Sequence, residues 1–573
     1  MKKRWHILSP DIHSIKNISN ALKLSCITSS VLVNRGINSP EQALSFIHVS
    51  MEDIRSPFEI KDIDTAVNRI YAAIINKEKI LVFGDYDADG ITATAILVEF
   101  LLYAGVKTDY YIPHRKMEGY GLQSRHISEY AVPNQTNLII TVDCGSSSHE
   151  AILAAKQAGI DVIVTDHHNI SGNLPDAAAV VNPKRNDCDS CFYDLSGVGM
   201  AFFVLICLRK YMRDSGFWQN IPEPNLKNAC DLVAIGTMAD IVPLIHENRI
   251  FVKAGLNIMK YGKRPGVLAL IEASRINKAT VTEEDIAFKL APRLNAAGRI
   301  DHAKVAVELL MEKNHETAIN IAQSLNKMNT RRQQIEQKIL DDIESYLNEH
   351  TNILDKKSLV LADERWDEGV LGIVASKLVD KYFRPVVLLA VKDDTGKGSA
   401  RSIPGFDLYG GLQSCSSYLE SFGGHKMAAG LKIKSVEINS FRKAFDDAVT
   451  KMTRSEDFRP LLRIDREIDF DDISENLLDE IEQLKPFGSG NAEPVFMSRH
   501  INVISSDIVG KNHRRMRLSQ DSEKKNTVFN AIRFNMDPGF ECLDHFNKIA
   551  FQLRWNRWNG QKSVQLIILD TQV

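Results

Sequence analysis

The stretch Lys79-Ile-Leu-Val-Phe-Gly-Asp-Tyr-Asp-Ala-Asp-Gly-Ile-Thr-Ala-Thr94 decides the fold. Its apolar run from Ile80 to Phe83 is typical of a buried parallel strand, and the segment from Ile91 to Tyr103 has the composition of a helix. A strand, an acidic turn and a helix place carboxylates at the C-terminal edge of a sheet, where open α/β folds bind ligands. The carboxylates of this turn belong to Asp85, Asp87 and Asp89.

Three aspartates within five residues repel one another unless a cation lies among them, and a divalent metal is the simplest such cation. An isolated Asp-Gly turn would be explained by solvent exposure alone. Here, however, other apolar runs also end in aspartate or histidine. They are Leu138–Asp143, Asp161–Asp166 with the following His167-His168, and Leu232–Asp240. This oxygen-rich set with one or two imidazoles favours manganese or magnesium, and it is large enough for two ions that clamp a phosphoryl displacement.

Four motifs in this order resemble those of the DHH phosphoesterases. They are Asp87-Ala-Asp89-Gly, Val142-Asp143, Asp166-His167-His168 and Gly236-Thr-Met-Ala-Asp240. Two further motifs are similar to those of the single-strand-specific exonucleases in that family, and the resemblance runs from about residue 50 to the C-terminus. These motifs are Ala291-Pro-Arg-Leu-Asn-Ala-Ala-Gly-Arg299 and Phe422-Gly-Gly-His-Lys-Met-Ala-Ala-Gly430.

The resemblance implies a ligand set for two Mn²⁺ or Mg²⁺ ions. It consists of Asp87, Asp89, Asp143, His167 and Asp240. His168 is then free to contact the scissile phosphate or to protonate the leaving oxygen. Asp85 and Asp166 are expected to support the ligands rather than to bind metal. Asp231 competes with Asp240 for the last ligand position, and the Gly236–Asp240 motif favours Asp240.

Substrate-binding residues are expected in three segments. Tyr110–Gly121 mixes cations, an imidazole and tyrosines, which predicts substrate binding by His114 and Arg115 with base stacking by the aromatic rings, or else a solvated loop with two tyrosines in the core. Arg293–Arg299 is predicted to be a Gly-containing turn. By resemblance its Arg293 meets a phosphate, although a surface ion pair would also explain an arginine here. In the third segment the resemblance assigns substrate binding to Ser399, Arg401 and His425.

The chain is expected to have five parts with an α/β fold. They are a helical preface (1–50), a doubly wound parallel-sheet DHH catalytic domain (51–300), a long connector helix (301–355), a smaller α/β DHH-associated domain (356–455) and an all-β OB-like barrel (456–573). The connector needs no chemical role, since a charged linker helix can face solvent on several sides.

The C-terminal barrel is predicted from five short strands with basic residues and tryptophans among them, a composition typical of a single-strand groove or of an ordinary barrel rim. These residues are Lys511, His513, Arg514, Arg515, Arg517, Arg533, Arg554, Arg557 and Lys562, with Trp555 and Trp558. Because the formal net charge of the chain is -3, any polyanion site must be a local patch.

Composition favours a cytoplasmic protein. No apolar run reaches membrane-spanning length, and the eight cysteines are scattered, as in a reduced compartment. Cys188-Asp-Ser-Cys191 is a lone CxxC, typical of a polar loop and only weakly suggestive of zinc. We expect a monomer that works on single-stranded DNA, with a single-strand-binding protein and a helicase as candidate partners.

The expected function is metal-dependent hydrolysis of single-stranded DNA during repair and recombination. The 5′-to-3′ direction and the release of nucleoside 5′-monophosphates follow from the resemblance alone. Two alternatives stay open at this point. One is a DHH phosphodiesterase of cyclic dinucleotides or short RNAs, and the other is a nucleic-acid-binding relative without catalysis.

Overall fold

The computed structural model describes residues 3–170, 172–510, 512–520, 527–536, 544–558 and 560–573. Lys511, Cys542 and the side chain of Trp558 lie outside the described residues. The chain forms two compact units. The barrel unit comprises Met1–Arg55, Ile241–Lys253 and Leu461–Val573, and the two-sheet unit comprises Ser56–Asp240 and Ala254–Pro460. Within the described ranges, no helix combines the length and the apolar character needed to cross a bilayer.

The N-terminal segment consists of one short strand followed by three helices. The helix that begins at Pro40 is capped by Ser39, whose hydroxyl accepts a hydrogen bond from the Gln42 amide, and Pro40 takes the first helical position. The elements are β1 (Arg4–Ile7), α1 (Ile12–Leu22), α2 (Cys26–Asn34) and α3 (Pro40–Ile47).

The first large sheet is parallel, as its apolar strands predict, with the order β3-β2-β4-β5-β6. Its strands β2 and β4 are buried throughout, because helices cover both faces of a doubly wound sheet. The elements are α4 (Ile63–Ile75), β2 (Ile80–Gly84), α5 (Ala88–Tyr103), β3 (Thr108–Tyr111), α6 (Ser124–His126), β4 (Leu138–Val142), α7 (His149–Gln157), β5 (Asp161–Thr165), β6 (Ala179–Val181), α8 (Gly197–Asp214) and α9 (Cys230–Ala239).

A helical region follows the sheet, as predicted. Its elements are α10 (His246–Tyr261), α11 (Pro265–Ala273), α12 (Glu283–Asp285), α13 (Ala291–Ile300), α14 (Lys304–Met311) and α15 (His315–Glu349). The turn predicted at Arg293–Arg299 is wrong, because these residues lie inside α13. Gly298 suggests a turn in the sequence, but in the helix it allows close approach to Tyr86, whose carbonyl oxygen would lie 2.8 Å from an added Cβ.

The second sheet of the two-sheet unit is mixed, with the order β10-β11-β9-β8-β7, and only β7 and β8 run parallel. The predicted smaller α/β fold is therefore present, with helices between its strands. The elements are β7 (Leu359–Asp363), α16 (Leu371–Tyr382), β8 (Val386–Lys392), β9 (Thr395–Arg401), α17 (Leu408–Ser414), β10 (Leu419–Gly424), β11 (Ala428–Lys434) and α18 (Ile438–Met452).

The C-terminal strands close into a barrel, which confirms the predicted OB-like fold. Closure comes from pairing of β14 with both β15 and β17, and β16 joins β18 in parallel. Apolar side chains of α1 and α2 share one core with these strands. The elements are β12 (Leu461–Ile464), β13 (Arg466–Glu467), α19 (Glu475–Gln483), β14 (Phe496–Val509), β15 (His513–Gln520), β16 (Val528–Arg533), β17 (His545–Trp558) and β18 (Gln561–Gln572).

Candidate metal centre

The acidic motifs meet at the point where the strand order of the parallel sheet reverses. From β2 the chain crosses to β3 on one side and then to β4 on the other, which opens a crevice at the carboxyl ends of β2 and β4. Asp85 and Asp87 follow β2, Asp143 follows β4, and His167 follows β5. The fourth acidic run, expected beside these strand ends, is the helix α9, and Asp240 lies at its C-terminal end.

Three groups of side chains in this crevice have the spacing of metal ligands. They are Asp143 with His167 and His168, Asp89 with His167 and Asp240, and Asp85 with Asp87 and Asp143. His167 Nε2 lies 3.1 Å from Asp143 Oδ1, 3.6 Å from Asp240 Oδ2 and 4.0 Å from Asp89 Oδ2. All five ligands expected from the sequence therefore lie in one cluster.

Buried ligand atoms in the cluster lack hydrogen-bond partners among the described residues. They include Oδ1 of Asp143, Oδ1 of Asp85 and both ring nitrogens of His167. Leaving such atoms unsatisfied is costly, so the donor set fits a bound cation. Oxygen atoms with one imidazole are the donors that manganese and magnesium prefer.

The electrostatics of the cluster also fit a bound cation. Burial raises the pKa of Asp143 well above its usual value, and the neighbouring aspartates raise it further. Burial and the charge of Asp87 raise the pKa of Asp240 to about 7. Burial and the charge of His168 lower the pKa of His167 to about 3, so its imidazole is neutral and able to bind a metal.

The backbone around the centre is built for close approach. Asp143 has φ 61°, a left-handed conformation that aspartate tolerates. Gly197, at the start of α8, faces Asp143 so closely that an added Cβ would lie 2.5 Å from its side chain. The amides of Gly197 and Val198 donate to the two carboxylate oxygens of Asp89, at 2.6 and 2.8 Å. The anion that the α8 N-terminus binds is thus Asp89 itself.

Asp166 supports the histidine pair instead of joining the cluster. Its Oδ1 accepts from the amides of His167 and His168 and lies 2.8 Å from His168 Nδ1. Burial alone would lower the pKa of His168, but the bond to Asp166 raises it to about 9. Tyr120, which the sequence did not single out, places its hydroxyl 3.2 Å from the same Nδ1.

Asp231, the alternative to Asp240, lies elsewhere. Its Oδ2 is 3.1 Å from Arg264 Nε, and Arg264 also pairs with Glu99. Asp231 therefore has its own cation, and the structure brings only Asp240 to the cluster.

A group of arginines lies next to the acidic cluster within the two-sheet unit. The guanidinium of Arg115 stacks over the ring of Tyr86, 4.8 Å from its centroid. Burial lowers the pKa of Arg299 to about 9, and the charges of Arg115, Arg332 and Arg401 lower it further. Arg401 Nη1 lies 3.2 Å from the hydroxyl of Ser399. Positive groups brought together in this way form a site for an anion.

Arg299 was missed by the sequence prediction, which chose Arg293. Arg293 donates to Asn326 and to the carbonyl of Lys289, whereas Arg299 donates to the carbonyl of Gly369 at 3.0 Å. Treating Ala291–Ile300 as a helix would have found Arg299. It lies one turn after Asn295, which faces the acidic turn and accepts from the Ala88 amide.

The two remaining predicted residues occupy different surroundings. The ring of His114 lies 5.7 Å from that of His302, and its Nδ1 accepts from the Lys116 amide. His425 is exposed on the turn between β10 and β11.

Lys116 binds both carboxylate oxygens of Asp367 at 3.0 Å, so the segment carrying His114 and Arg115 is tied to the loop before α16.

Several predicted cations of the barrel form ion pairs with barrel-unit carboxylates. Arg554 pairs with Glu493, Arg515 with Asp507, and Lys562 with Asp479. Lys562 also lies over the ring of Trp555, 3.6 Å from its centroid. The basic surface expected here is therefore partly neutralised within the barrel unit.

A parallel sheet with carboxylates and a histidine pair at its strand ends, followed by a second α/β domain, defines a DHH protein. Residues 79–237 match the family described as DHH family, N-terminal domain, and residues 355–451 match the DHHA1 domain. The resemblance expected from the motifs is therefore confirmed. Residues 464–570 match the RecJ OB domain.

The chain belongs to the RecJ family. It is 36% identical to the single-stranded-DNA-specific exonuclease RecJ of Bacillus subtilis, over 100% of this chain and 71% of that protein. It is 35% identical to the protein of the same name from Salmonella typhimurium, over 89% and 90% of the two chains. The crystal structure of RecJ with Mn²⁺ from Thermus thermophilus superposes with a TM-score of 0.82 at 26% identity, covering 100% of this chain and 79% of that chain.

Proposed function

We propose that this protein is a metal-dependent exonuclease that degrades single-stranded DNA. The observation that carries the proposal is the cluster of buried, unpaired ligand atoms beside a group of arginines. The carboxylates and the imidazole of the cluster fit divalent cations, and the arginines fit the phosphates of a nucleic acid. The names of the relatives support the choice of single-stranded DNA as substrate.

In this proposal Asp87, Asp89, Asp143, His167 and Asp240 hold two ions, Mn²⁺ or Mg²⁺. Bound there, the ions would lower the pKa of a water molecule and neutralise the charge that develops on the phosphate. Relatives have been solved with each of these metals.

His168 is proposed to act on the substrate itself. Its pKa of about 9 leaves it protonated at neutral pH, and its side chain is 40% exposed. Because Asp166 and Tyr120 both contact Nδ1, the ring is held with Nε2 available to the substrate. A proton at Nε2 can bond the scissile phosphate or move to the leaving oxygen.

The strand end is proposed to bind between Arg115, Arg299, Ser399 and Arg401. The first turn of α16 adds to this site, since Arg401 Nη2 lies 2.8 Å from the position of a Cβ at Gly372. A helix N-terminus beside two guanidinium groups is a strong phosphate site. Assignments of His114, Arg293 and His425 to the substrate stay predictions, and for Arg293 the geometry favours Arg299 instead.

The barrel is proposed to bind the strand, as its match to an OB domain suggests. Digestion from the 5′ end, release of nucleoside 5′-monophosphates and a role in DNA repair are parts of this proposal. So are a monomeric state, cooperation with a single-strand-binding protein and a helicase, and the division at residues 50, 300, 355 and 455.

The test is digestion of a long single-stranded DNA labelled at the 5′ or the 3′ end, with Mn²⁺ or chelator. We expect early release of the 5′ label as a mononucleotide, no release with chelator, and no action on a blunt duplex. Early release of the 3′ label would contradict the direction. Inert long DNA together with hydrolysed dinucleotides would replace the proposal with a small-substrate phosphodiesterase.

A further inference from the structure

The connector helix α15 has an inward stripe whose middle is polar. The stripe repeats at alternating spacings of three and four residues, as expected for one face of a helix. Its first part is Ala318, Ala322 and Leu325, and its last part is Ile339, Ile343 and Leu347, all buried. The middle positions of the same stripe are Asn329, Arg332 and Glu336.

The two apolar parts have separate packing roles within the two-sheet unit. The first part lies where α15 packs on α11 and α13, and the last part belongs to the hydrophobic core of the second sheet. The polar middle therefore lies where α15 passes from one domain to the other. A buried ion pair is often no more stabilising than apolar side chains of similar volume, so the polarity of these positions points to a role beyond packing.

Glu336 holds a cation from each of two helices. Its side chain is only 2% exposed, and its carboxylate lies 3.1 Å from Arg332 Nε and 3.0 Å from Nζ of Lys377 on α16. Two cations around one carboxylate leave one positive charge uncompensated within this group. The carboxylate also fixes the Arg332 side chain, which is 12% exposed.

Polar atoms in this stripe remain unsatisfied. Asn329 Oδ1 is buried without a hydrogen-bond partner among the described residues, and Asn329 is 4% exposed; Arg332 Nε has the Glu336 carboxylate 3.1 Å away but no hydrogen bond of good geometry. Arg332 is also close enough to Arg293 and Arg299 for its charge to lower the pKa of both. An anion placed beside Arg332 and Arg299 would relieve this repulsion and compensate the excess positive charge of the group around Glu336.

We propose that Arg332 of the connector helix binds a phosphate of the single strand and that Glu336 positions it. This inference rests on the proposed function, because it takes single-stranded DNA as the ligand. It turns α15 from a spacer into part of the substrate site, extending the arginine group that contains Arg299 and Arg401. Either the terminal phosphate or an internal phosphodiester could be the ligand, since both present the same anionic oxygens.

The experiment measures equilibrium binding of fluorescent oligothymidylate by anisotropy over a series of salt concentrations, in chelator so that no strand is consumed. Arg332→Gln is compared with Arg331→Gln, which removes the same charge from the exposed neighbouring position of the same helix. We expect Arg332→Gln to weaken binding about tenfold and to reduce the slope of log K against log salt by about 0.7, the share of one phosphate contact. We expect Arg331→Gln to change neither.

Oligonucleotides with a 5′-phosphate or a 5′-hydroxyl separate the two sources of phosphate. If the effect of Arg332→Gln vanishes with the 5′-hydroxyl strand, Arg332 binds the terminal phosphate; if it persists, Arg332 binds an internal one. Glu336→Gln should weaken binding and reduce the salt slope less than Arg332→Gln does, because it displaces the arginine from the phosphate but keeps its charge. Should Arg332→Gln fail to fold, Arg332→Lys provides the test, with the slope kept and affinity reduced.

Equal slopes and affinities for the variants at positions 331 and 332 would overturn the inference and leave Arg332 as a structural ion pair. In that case the wild-type protein would still degrade single strands, and the proposed function would stand. If the wild-type protein neither binds nor degrades single-stranded DNA, the proposed function fails and this inference fails with it.

Discussion

Gly197→Ala tests how tightly the backbone around the metal centre is fitted. An alanine Cβ at this position would lie 2.5 Å from the Cβ and Oδ1 of Asp143, whereas ordinary contacts begin at 3.4 Å. Either Asp143 or the start of α8 must therefore move by about 0.9 Å (3.4 − 2.5). Such a shift displaces a ligand whose Oδ1 lies 3.1 Å from His167 Nε2, and it also disturbs the bond from Gly197 to Asp89.

We expect Gly197→Ala to weaken Mn²⁺ binding about 10- to 100-fold, as loss of ligand orientation does in other metal sites, or about 1.4 to 2.8 kcal/mol. The assay is calorimetric titration of the metal-free protein with Mn²⁺. The matched control is Gly199→Ala in the same helical turn, where an added Cβ would meet its nearest atom at 3.3 Å. Equal Mn²⁺ affinity of the two variants, with both folded by thermal melting, would refute the reasoning.

Three further results are expected. Asp367→Asn removes the charge that Lys116 binds at 3.0 Å. Because this ion pair holds the segment that carries Arg115, we expect KM for single-stranded DNA to rise several-fold with kcat nearly unchanged. A change in kcat alone would contradict a role of the pair in substrate binding. The pKa of Asp240 is about 7 in the folded chain and 3.8 normally. Its protonated carboxyl therefore contributes stability to the metal-free protein that is fully present below about pH 4 and is lost as the pH rises to about 7. The melting temperature in chelator should therefore fall across this window, less steeply in Asp240→Asn, and parallel curves would refute the assignment. Arg249 is 1% exposed and donates to the carbonyls of Phe46 and Lys485. We therefore expect Arg249→Met to lower the free energy of unfolding, measured by chemical denaturation, by about 3 kcal/mol or more. Substitution of the exposed Arg517 should not have this effect.

The strands and their acidic ends were predictable because local and tertiary preferences agree there. Ile80–Phe83 is apolar throughout and Leu138–Val142 is apolar except for Thr141, as is typical of strands covered on both faces, and an aspartate follows each within two residues. Because the carboxyl ends of parallel strands share one edge of the sheet, Asp87 and Asp143 could be predicted to lie close together. The run ending in Asp240 was harder, since a short apolar run fits a buried helix equally well.

The arginine group was predicted only in part: Arg115 and Arg401 were expected from the sequence, whereas Arg299 and Arg332 depend on helix faces and packing between domains. Asn295 and Gly298 suggest a turn at Arg293–Arg299, but the alanines, leucine and arginines of this segment are strong helix formers, and it lies inside α13. On α15, Arg331 and Arg332 look alike in sequence. Their different exposure arises from which face of the helix packs inward, and that is set by residues far along the chain.

The most direct test of the account is the rate of mononucleotide release from 5′-labelled single-stranded DNA as a function of Mn²⁺ concentration. Wild-type protein and Asp143→Asn are compared, because Asp143 lies in two of the three ligand groups. We expect the wild-type rate to rise with Mn²⁺ and to vanish in chelator, and the variant to be at least about 100-fold slower at every concentration. Release by wild-type protein in chelator, or a variant as fast as wild type, would contradict the claim that this cluster holds the catalytic ions.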